Sequence, residues 1–248
     1  DNFSYEDSID LGVSDFMQKP LGVRELIIRV KRVLRERELL RERNSVSKKL
    51  QESLVNLRKS MDATVQAIAL TVEARDPYTA GHQQRVAELA VAIAEEMGLP
   101  SNTIEGIRMA GIIHDLGKIS IPAEILSKPS RLSSMEFELV KEHAETGFKI
   151  LKDIDFPWPI ATIVHQHHER IDGSGYPLGI KANEIYMEAK IISVADVVEA
   201  MASHRPYRAA LGLEKAQKEI LSHRGKLYDT DVDDACITVL EKNSFNWT

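Results

Sequence analysis

The chain has 248 residues, 43% apolar and 28% charged, enough to bury a proper core as one large domain or a domain with a smaller appendage. Its single cysteine, Cys236, excludes a disulfide framework and a cysteine-based zinc site, and fits a reducing cytoplasm. A net charge of −6 argues against a DNA-binding surface, and no apolar run approaches the roughly 20 residues that span a bilayer. A small phosphate ligand stays compatible with that charge, because bound cations can supply local positive potential.

The first expected element is a short strand over residues 12–20, ending in Lys19-Pro20. An amphipathic run follows, with Leu26, Ile27, Val30, Val33 and Leu34 at helical spacing. This arrangement resembles the C-terminal end of a response-regulator receiver domain and makes residues 1–43 a small α/β remnant. A receiver's phospho-acceptor aspartate would lie upstream of Asp1. Residues 31–44 alternate Arg and Glu as a solvated helix, and Leu50, Leu54, Leu57, Met61, Val65, Ile68 and Val72 then recur at steps of three and four. With no Pro or Gly from 23 to 76, one long signalling helix is expected. Residues 44–72 serve as its coiled-coil linker, through which a homodimer forms.

The remainder, 73–248, is read as an all-α domain. Helices are expected over 85–97, 103–114, 133–152, 159–168, 187–203, 214–223 and 232–242. Val86, Leu89, Ala90, Ile93 and Met97 share one face of the first, which Gly98 stops. The pattern Ser133-Ser134-Met135-Glu136 is a capping box.

The chemistry-bearing residues are polar groups in places where they are costly. His114-Asp115 ends an apolar helix and is followed by Leu116-Gly117-Lys118. Asp196 interrupts the apolar run of Ile191, Ile192, Val194, Ala195, Val197 and Val198, so it must be paired or bind a metal. His82 follows Gly81 at a helix start, and His143 sits mid-helix. His167-His168 lead into Asp172-Gly173-Ser174-Gly175-Tyr176-Pro177, a rigid loop that presents an aromatic ring.

The order His82, His114-Asp115, Asp196 resembles the ligand order of the HD phosphohydrolase superfamily. With His143, His167-His168, the Gly175-Tyr176-Pro177 loop, the stretch from Glu73 to His82 and Arg205-Pro206-Tyr207-Arg208, the chain resembles the HD-GYP subfamily of metal-dependent cyclic di-GMP phosphodiesterases. The resemblance implies two divalent transition metal ions, iron or manganese foremost, with nickel, cobalt and zinc also suited. One ion would take His82, His114, Asp115 and Asp196; the other would share Asp115 and add His143, His167 and His168. A water activated between them attacks the phosphodiester. Lys118 would neutralise the phosphate or protonate the leaving 3′-oxygen, while Tyr176, Arg205 and Arg208 resemble substrate contacts. The loop also offers a surface for signalling-protein partners.

Two departures qualify what the resemblance implies. Tyr78 stands where some members place an acidic ligand for a third metal, which favours two metals and 5′-pGpG over GMP unless Glu73 or Asp76 reaches in. His204 replaces a common Asp before Arg205 and puts the orientation of that arginine in question. Adjacent residues on an ideal helix point about 100° apart, so His167 or His168 alone could ligate. His165, His223 and Arg170 are read as surface residues, and Glu169 and Asp172 as groups that orient the histidines and the loop. Two other readings stay open: a cyclic-dinucleotide sensor or adaptor without turnover, and an HD hydrolase of another nucleotide such as cyclic GMP-AMP.

Overall fold

The computed structural model describes residues 20, 22–75, 81–203 and 210–242. The expected N-terminal strand, apart from Pro20, lies outside these residues, as do Asp76, Tyr78, His204, Arg205 and Arg208. Among the described residues there is no strand, only an isolated bridge between Arg224 and Tyr228. No helix among them is long and apolar enough to cross a membrane.

The uninterrupted run forms a single helix, α1, Val23–Glu73. The chain divides into two compact units, one to Met61 and one from Asp62 onward. In the first unit Leu34, Leu39, Leu50, Leu54 and Leu57 are exposed along the helix. In the second, Val65, Ala69 and Val72 are buried, spaced four and three apart on one face. The apolar seam of 50–72 is therefore not uniform. Its end belongs to the core of the second unit, while Ile68 points outward.

The second unit is built on α2 (His82–Glu96), which packs against α3 (Ser101–Ile113), α7 (Met187–Ala202) and α9 (Thr230–Glu241). Val86, Leu89, Ala90 and Ile93 form its fully buried face. Gly98, at φ +70°, lets the chain reverse, with Gly98 and Leu99 N–H groups donating to the Glu95 and Ala94 carbonyls at 2.9 and 3.0 Å. A 3₁₀ turn over Leu116–Ser120 leaves α3 and packs against α5 (Ser134–Leu151), with the four-residue α4 (Ala123–Leu126) between them. The capping box of α5 is complete: Ser133 N–H donates to Glu136 at 2.7 Å and Glu136 N–H to Ser133 Oγ at 3.3 Å. Lys128 adds a 2.7 Å hydrogen bond to the same carboxylate. Helix α6 (Ile160–Gln166) packs on α5, and α8 (Leu213–His223) on α7.

Helix ends fall within three residues of the expected ones, and the shift that matters is in α6. It stops at Gln166, so His167 caps it and His168 lies beyond it. The turn and α4 were not anticipated, since elements of five and four residues carry no periodicity.

The approach of the turn to α5 requires glycine. A Cβ on Gly117 would sit 1.9 Å from the His143 carbonyl oxygen and 2.6 Å from the Gly147 nitrogen. Gly117→Ala is therefore expected to lower unfolding free energy by about 3 kcal/mol, measured by urea denaturation.

Asp233 in α9 is buried, with no hydrogen-bond partner for either oxygen among the described residues. Burial pushes its carboxyl up from 3.8 to about 7, against the opposing Arg224. The folded state holds the proton longer than the unfolded chain, so this contribution is full below pH 3.8 and is lost as pH rises to about 7. The stability of Asp233→Asn relative to wild type should be greater at pH 7.5 than at pH 5 in paired urea titrations.

Candidate metal centre

Helix geometry delivers all seven expected ligand side chains to one place. His82 opens α2, His114 and Asp115 follow α3, and Asp196 comes from α7. His143 comes from mid-α5, and His167-His168 from the end of α6. His82, His114 and Asp115 form one group whose ligand atoms lie within 4.8 Å of one another, and His143, His167 and His168 form a second. Asp196 Oδ1 joins the first group, 3.3 Å from His82 Nε2 and 4.0 Å from His114 Nε2.

Asp115 faces both groups with different oxygens. Its Oδ2 lies 3.5 Å from His114 Nε2 and 3.7 Å from His82 Nε2, whereas Oδ1 lies 3.4 Å from His143 Nε2. Burial opposes its charge, but Lys118 and the surrounding imidazoles outweigh that and hold the carboxyl well below the usual range. Burial opposes the charge of Asp196 too, and neighbouring His82, with His114 and His168, outweighs it and holds the carboxyl well below the usual range.

The imidazoles are oriented by their second nitrogens. Nδ1 of His114, His143 and His167 donates to the carbonyl three residues earlier, at Gly111, Val140 and Val164, over 2.7, 2.7 and 2.5 Å. His82 Nδ1 donates to the Glu199 carboxylate. A carbonyl or carboxylate only accepts, so Nδ1 carries the proton and each Nε2 turns a lone pair inward. Burial, with neighbouring His114 and His143, lowers His167 to about 3, and burial keeps His168 well below its ordinary value. Burial lowers His143 as well. In His82 the Asp196 and Glu199 contacts overcome burial and raise it.

This donor set fits divalent cations. His143 and His167 point Nε2 atoms at each other over 3.2 Å, and His114 Nε2 is buried without a hydrogen-bond partner among the described residues. Facing lone pairs repel unless a cation lies among them. Five imidazoles with two carboxylates suit a transition metal better than calcium or magnesium.

Lys118 Nζ donates to Asp115 Oδ2 at 2.6 Å from the 3₁₀ turn. The Tyr176 ring lies 4.7 Å from that of His168, tilted by 33°, and Lys141 Nζ lies 5.5 Å from its centroid. Burial first, then Asp196 and Asp115, raise the Tyr176 hydroxyl, so it stays protonated. The loop is fixed by Glu169, whose Oε1 accepts from Leu178 and Gly179 N–H at 2.7 and 3.2 Å. Asp172 accepts from the Ser174 N–H and hydroxyl at 2.9 and 2.6 Å.

Ending α6 at Gln166 frees His168 from the ideal 100° step, and the two adjacent rings meet at 4.0 Å. Three readings need correction. His165 is buried, not solvent-facing: it stacks 4.5 Å from Phe148 and pairs with Glu145 at 2.6 Å, away from the ligand set. Arg170 is half-buried, donating to Ser193 and lying 5.1 Å from the Tyr228 ring. Glu169 orients the loop but, among the described residues, its side chain makes no hydrogen bond to a histidine. Glu73 accepts from the Gly81 and Gln83 amides rather than joining the ligands. Glu199 was missed, although its i,i+3 spacing from Asp196 on an apolar helix places both on one face. It also accepts from Arg85 Nε at 2.9 Å and Ser203 Oγ at 2.7 Å. Lys141 carried no sequence signal beyond a solvated charge.

Fold and site together define an all-helical domain organised around a histidine–aspartate cluster. Residues 66–232 match the family model described as HD domain, and the chain belongs to that family. A cyclic di-GMP phosphodiesterase of Thermotoga maritima is 39% identical, over 94% of this chain and 67% of that protein. The cyclic di-GMP phosphodiesterase response regulator RpfG of Xanthomonas campestris pv. campestris is 35% identical, over 93% of this chain and 62% of its own length. A 3′3′-cGAMP-specific phosphodiesterase 3 of Vibrio cholerae is also 35% identical, but over 73% of this chain and 39% of that protein. Among solved structures, Bd1817, an HDG"Y"P protein from Bdellovibrio bacteriovorus, shares the fold with a TM-score of 0.54 at 20% identity, covering 64% of this chain and 51% of that one.

Removing the Glu199 charge leaves the His82 ring without its anionic acceptor. Glu199→Gln is expected to weaken divalent-metal binding about 10- to 100-fold with an unchanged far-ultraviolet dichroism spectrum, read by competition with a chromogenic chelator.

Proposed function

We propose that this protein is an HD-GYP phosphodiesterase that hydrolyses cyclic di-GMP to linear 5′-pGpG using two divalent transition metal ions. The observation that carries the reading is Asp115, whose two oxygens face two separate imidazole groups. One ion would be held by His82, His114, Asp115 and Asp196, the other by Asp115, His143, His167 and His168. Two cations so held would supply an activated water at neutral pH and would neutralise charge on the phosphoryl oxygens.

The side chains do the rest. Asp115 stays ionised and spans both groups. Lys118, 2.6 Å from Asp115 Oδ2, places a mobile ammonium beside the reacting phosphate, where it offsets charge or gives a proton to the leaving 3′-oxygen. Tyr176 keeps its proton and presents a ring next to His168, so a guanine stacked there lies close to the second group. Arg205 and Arg208 are assigned to substrate phosphate or guanine by their place in the family motif.

The remaining assignments follow the same reading. Residues 1–43 are the end of a receiver-like domain, 44–72 a coiled-coil linker and homodimer contact, and 73–248 the catalytic domain. The likeness to RpfG supports a place in two-component signalling. The 172–177 loop is the surface for signalling partners, and Tyr78 in place of an acidic ligand supports two metals.

Chromatography of products from manganese- or iron-loaded protein tests the reading, with cyclic di-GMP, 3′3′-cyclic GMP-AMP and cyclic di-AMP offered in parallel. Cyclic di-GMP should yield 5′-pGpG, and chelation should stop turnover. Asp115→Asn should lose more than about 100-fold, beyond the 10–100-fold typical of groups that only support a ligand. A metal-loaded protein that binds cyclic di-GMP without cutting it would be a sensor instead. Preferential cleavage of cyclic GMP-AMP would reassign the substrate.

A further inference from the structure

Among the described residues of the stretch from Glu73 to His82, two charged side chains, Glu73 and Arg75, are not used by hydrolysis as described. Glu73, the last residue of α1, is buried, although a carboxylate is costly to bury. Its oxygens accept from the backbone N–H groups of Gly81 at 3.0 Å and Gln83 at 3.2 Å. These two amides flank His82. They belong to the first turn of α2, where N–H groups lack partners within the helix and the helix dipole favours an anion. Gly81 caps α2 in a left-handed conformation, φ +72°, and offers no side chain to do this work. Glu73 supplies the cap from the end of another helix.

Arg75, two residues later, reaches in a second direction. Its guanidinium donates to the Ile119 carbonyl and, at 3.4 Å, to the Ile121 carbonyl. Those carbonyls close the 3₁₀ turn that carries Lys118. A five-residue 3₁₀ turn has weak internal hydrogen bonds, and a forked cation on its terminal carbonyls fixes where it ends.

We infer that Glu73 and Arg75 are positioning residues through which the end of α1 holds both His82 and the Asp115–Lys118 turn in register. Two independent contacts carry this. One sets the backbone on either side of a ligand, and the other sets the exit of the turn that bears the ammonium. A displacement at this helix end moves the first ligand and the proton donor together. The inference rests on the metal-centre reading above, and its test separates the two.

The experiment compares Glu73→Gln, Arg75→Ala and Arg75→Lys with wild type. It reads metal equivalents retained against a chelator, kcat and KM on cyclic di-GMP, and melting temperature. Glu73→Gln keeps the volume but turns an amide N–H toward a backbone N–H. It should weaken the His82-side metal about tenfold, so that one equivalent is lost before the other. Arg75→Ala should retain both metals and lower kcat roughly 10- to 100-fold with KM within about twofold of wild type, because a small misplacement of a catalytic group costs that much. Arg75→Lys, which can still reach one carbonyl, should recover part of kcat. If Glu73→Gln holds both metals with wild-type affinity, or Arg75→Ala turns over at the wild-type rate, the inference is overturned, even where the variant melts lower. Metal retention is read without substrate. A wild-type protein that binds metal but cuts no dinucleotide overturns the proposed reaction, and the Glu73 comparison still decides the positioning role.

Discussion

The candidate site depends on Asp115 remaining charged out of water. Asp115 is 3% exposed, and burial alone would neutralise it. Lys118 is the largest opposing influence, followed by His114, His143 and His82. Charge interactions in such a dry environment are strong in both directions, so each of these groups has to be well placed. Gly117 meets that demand directly after Asp115 and Leu116: without a side chain, the turn can lie against the α5 backbone that carries His143. Had a larger residue stood there, the carboxylate could not face both imidazole groups.

The histidines reach their orientation by a shared device. Three of them turn Nδ1 back to a carbonyl three residues earlier, so the ring direction follows from helix geometry rather than from loop conformation. His82 begins its helix and has no such carbonyl within the helix, and Glu199 of α7 takes that place. His168 lies beyond the end of α6 and is packed instead between the rings of His143, His167 and Tyr176. Helices and their caps thus hold most of these side chains, while His168 and Tyr176 stack on each other in the segment beyond α6.

That these seven side chains would gather in one place was expected from the resemblance to the HD-GYP pattern, and only some of them also stand where local physics disfavours a polar group. Asp196 in an apolar helix and His114-Asp115 at the end of another have no inexpensive alternative to a partner. The helices were legible from their periodicity to within three residues. The supporting groups were not. Glu199, Glu73 and Lys141 look like the charged residues that cover any helix, since periodicity tells which face is apolar and not what a polar side chain on it meets. His165 failed for the same reason: Phe148 and Glu145, which bury and pair it, come from another helix. The seam of 50–72 divides beside Met61, where two steps of four in succession (Leu57, Met61, Val65) interrupt its spacing as a stutter, although Val65 and Val72 taken singly suit a core and a coiled coil equally.

The two ligand groups differ in what builds them. The first draws on α2, the end of α3 and α7, three elements held together by the fully buried faces of Val86, Ile93, Ile107 and Ile191. The second draws on α5 and the end of α6. Only Asp115 and the turn behind it belong to both. The 3₁₀ turn against α5 is one contact that sets the separation of the groups, and α6 adds others by packing against α3 and α7. A cation held by either group would draw on the same Asp115 carboxylate, which would couple the two groups. That coupling follows from the sharing of Asp115, and it makes the geometry of the pair a property of the fold's packing rather than of the ligands taken singly.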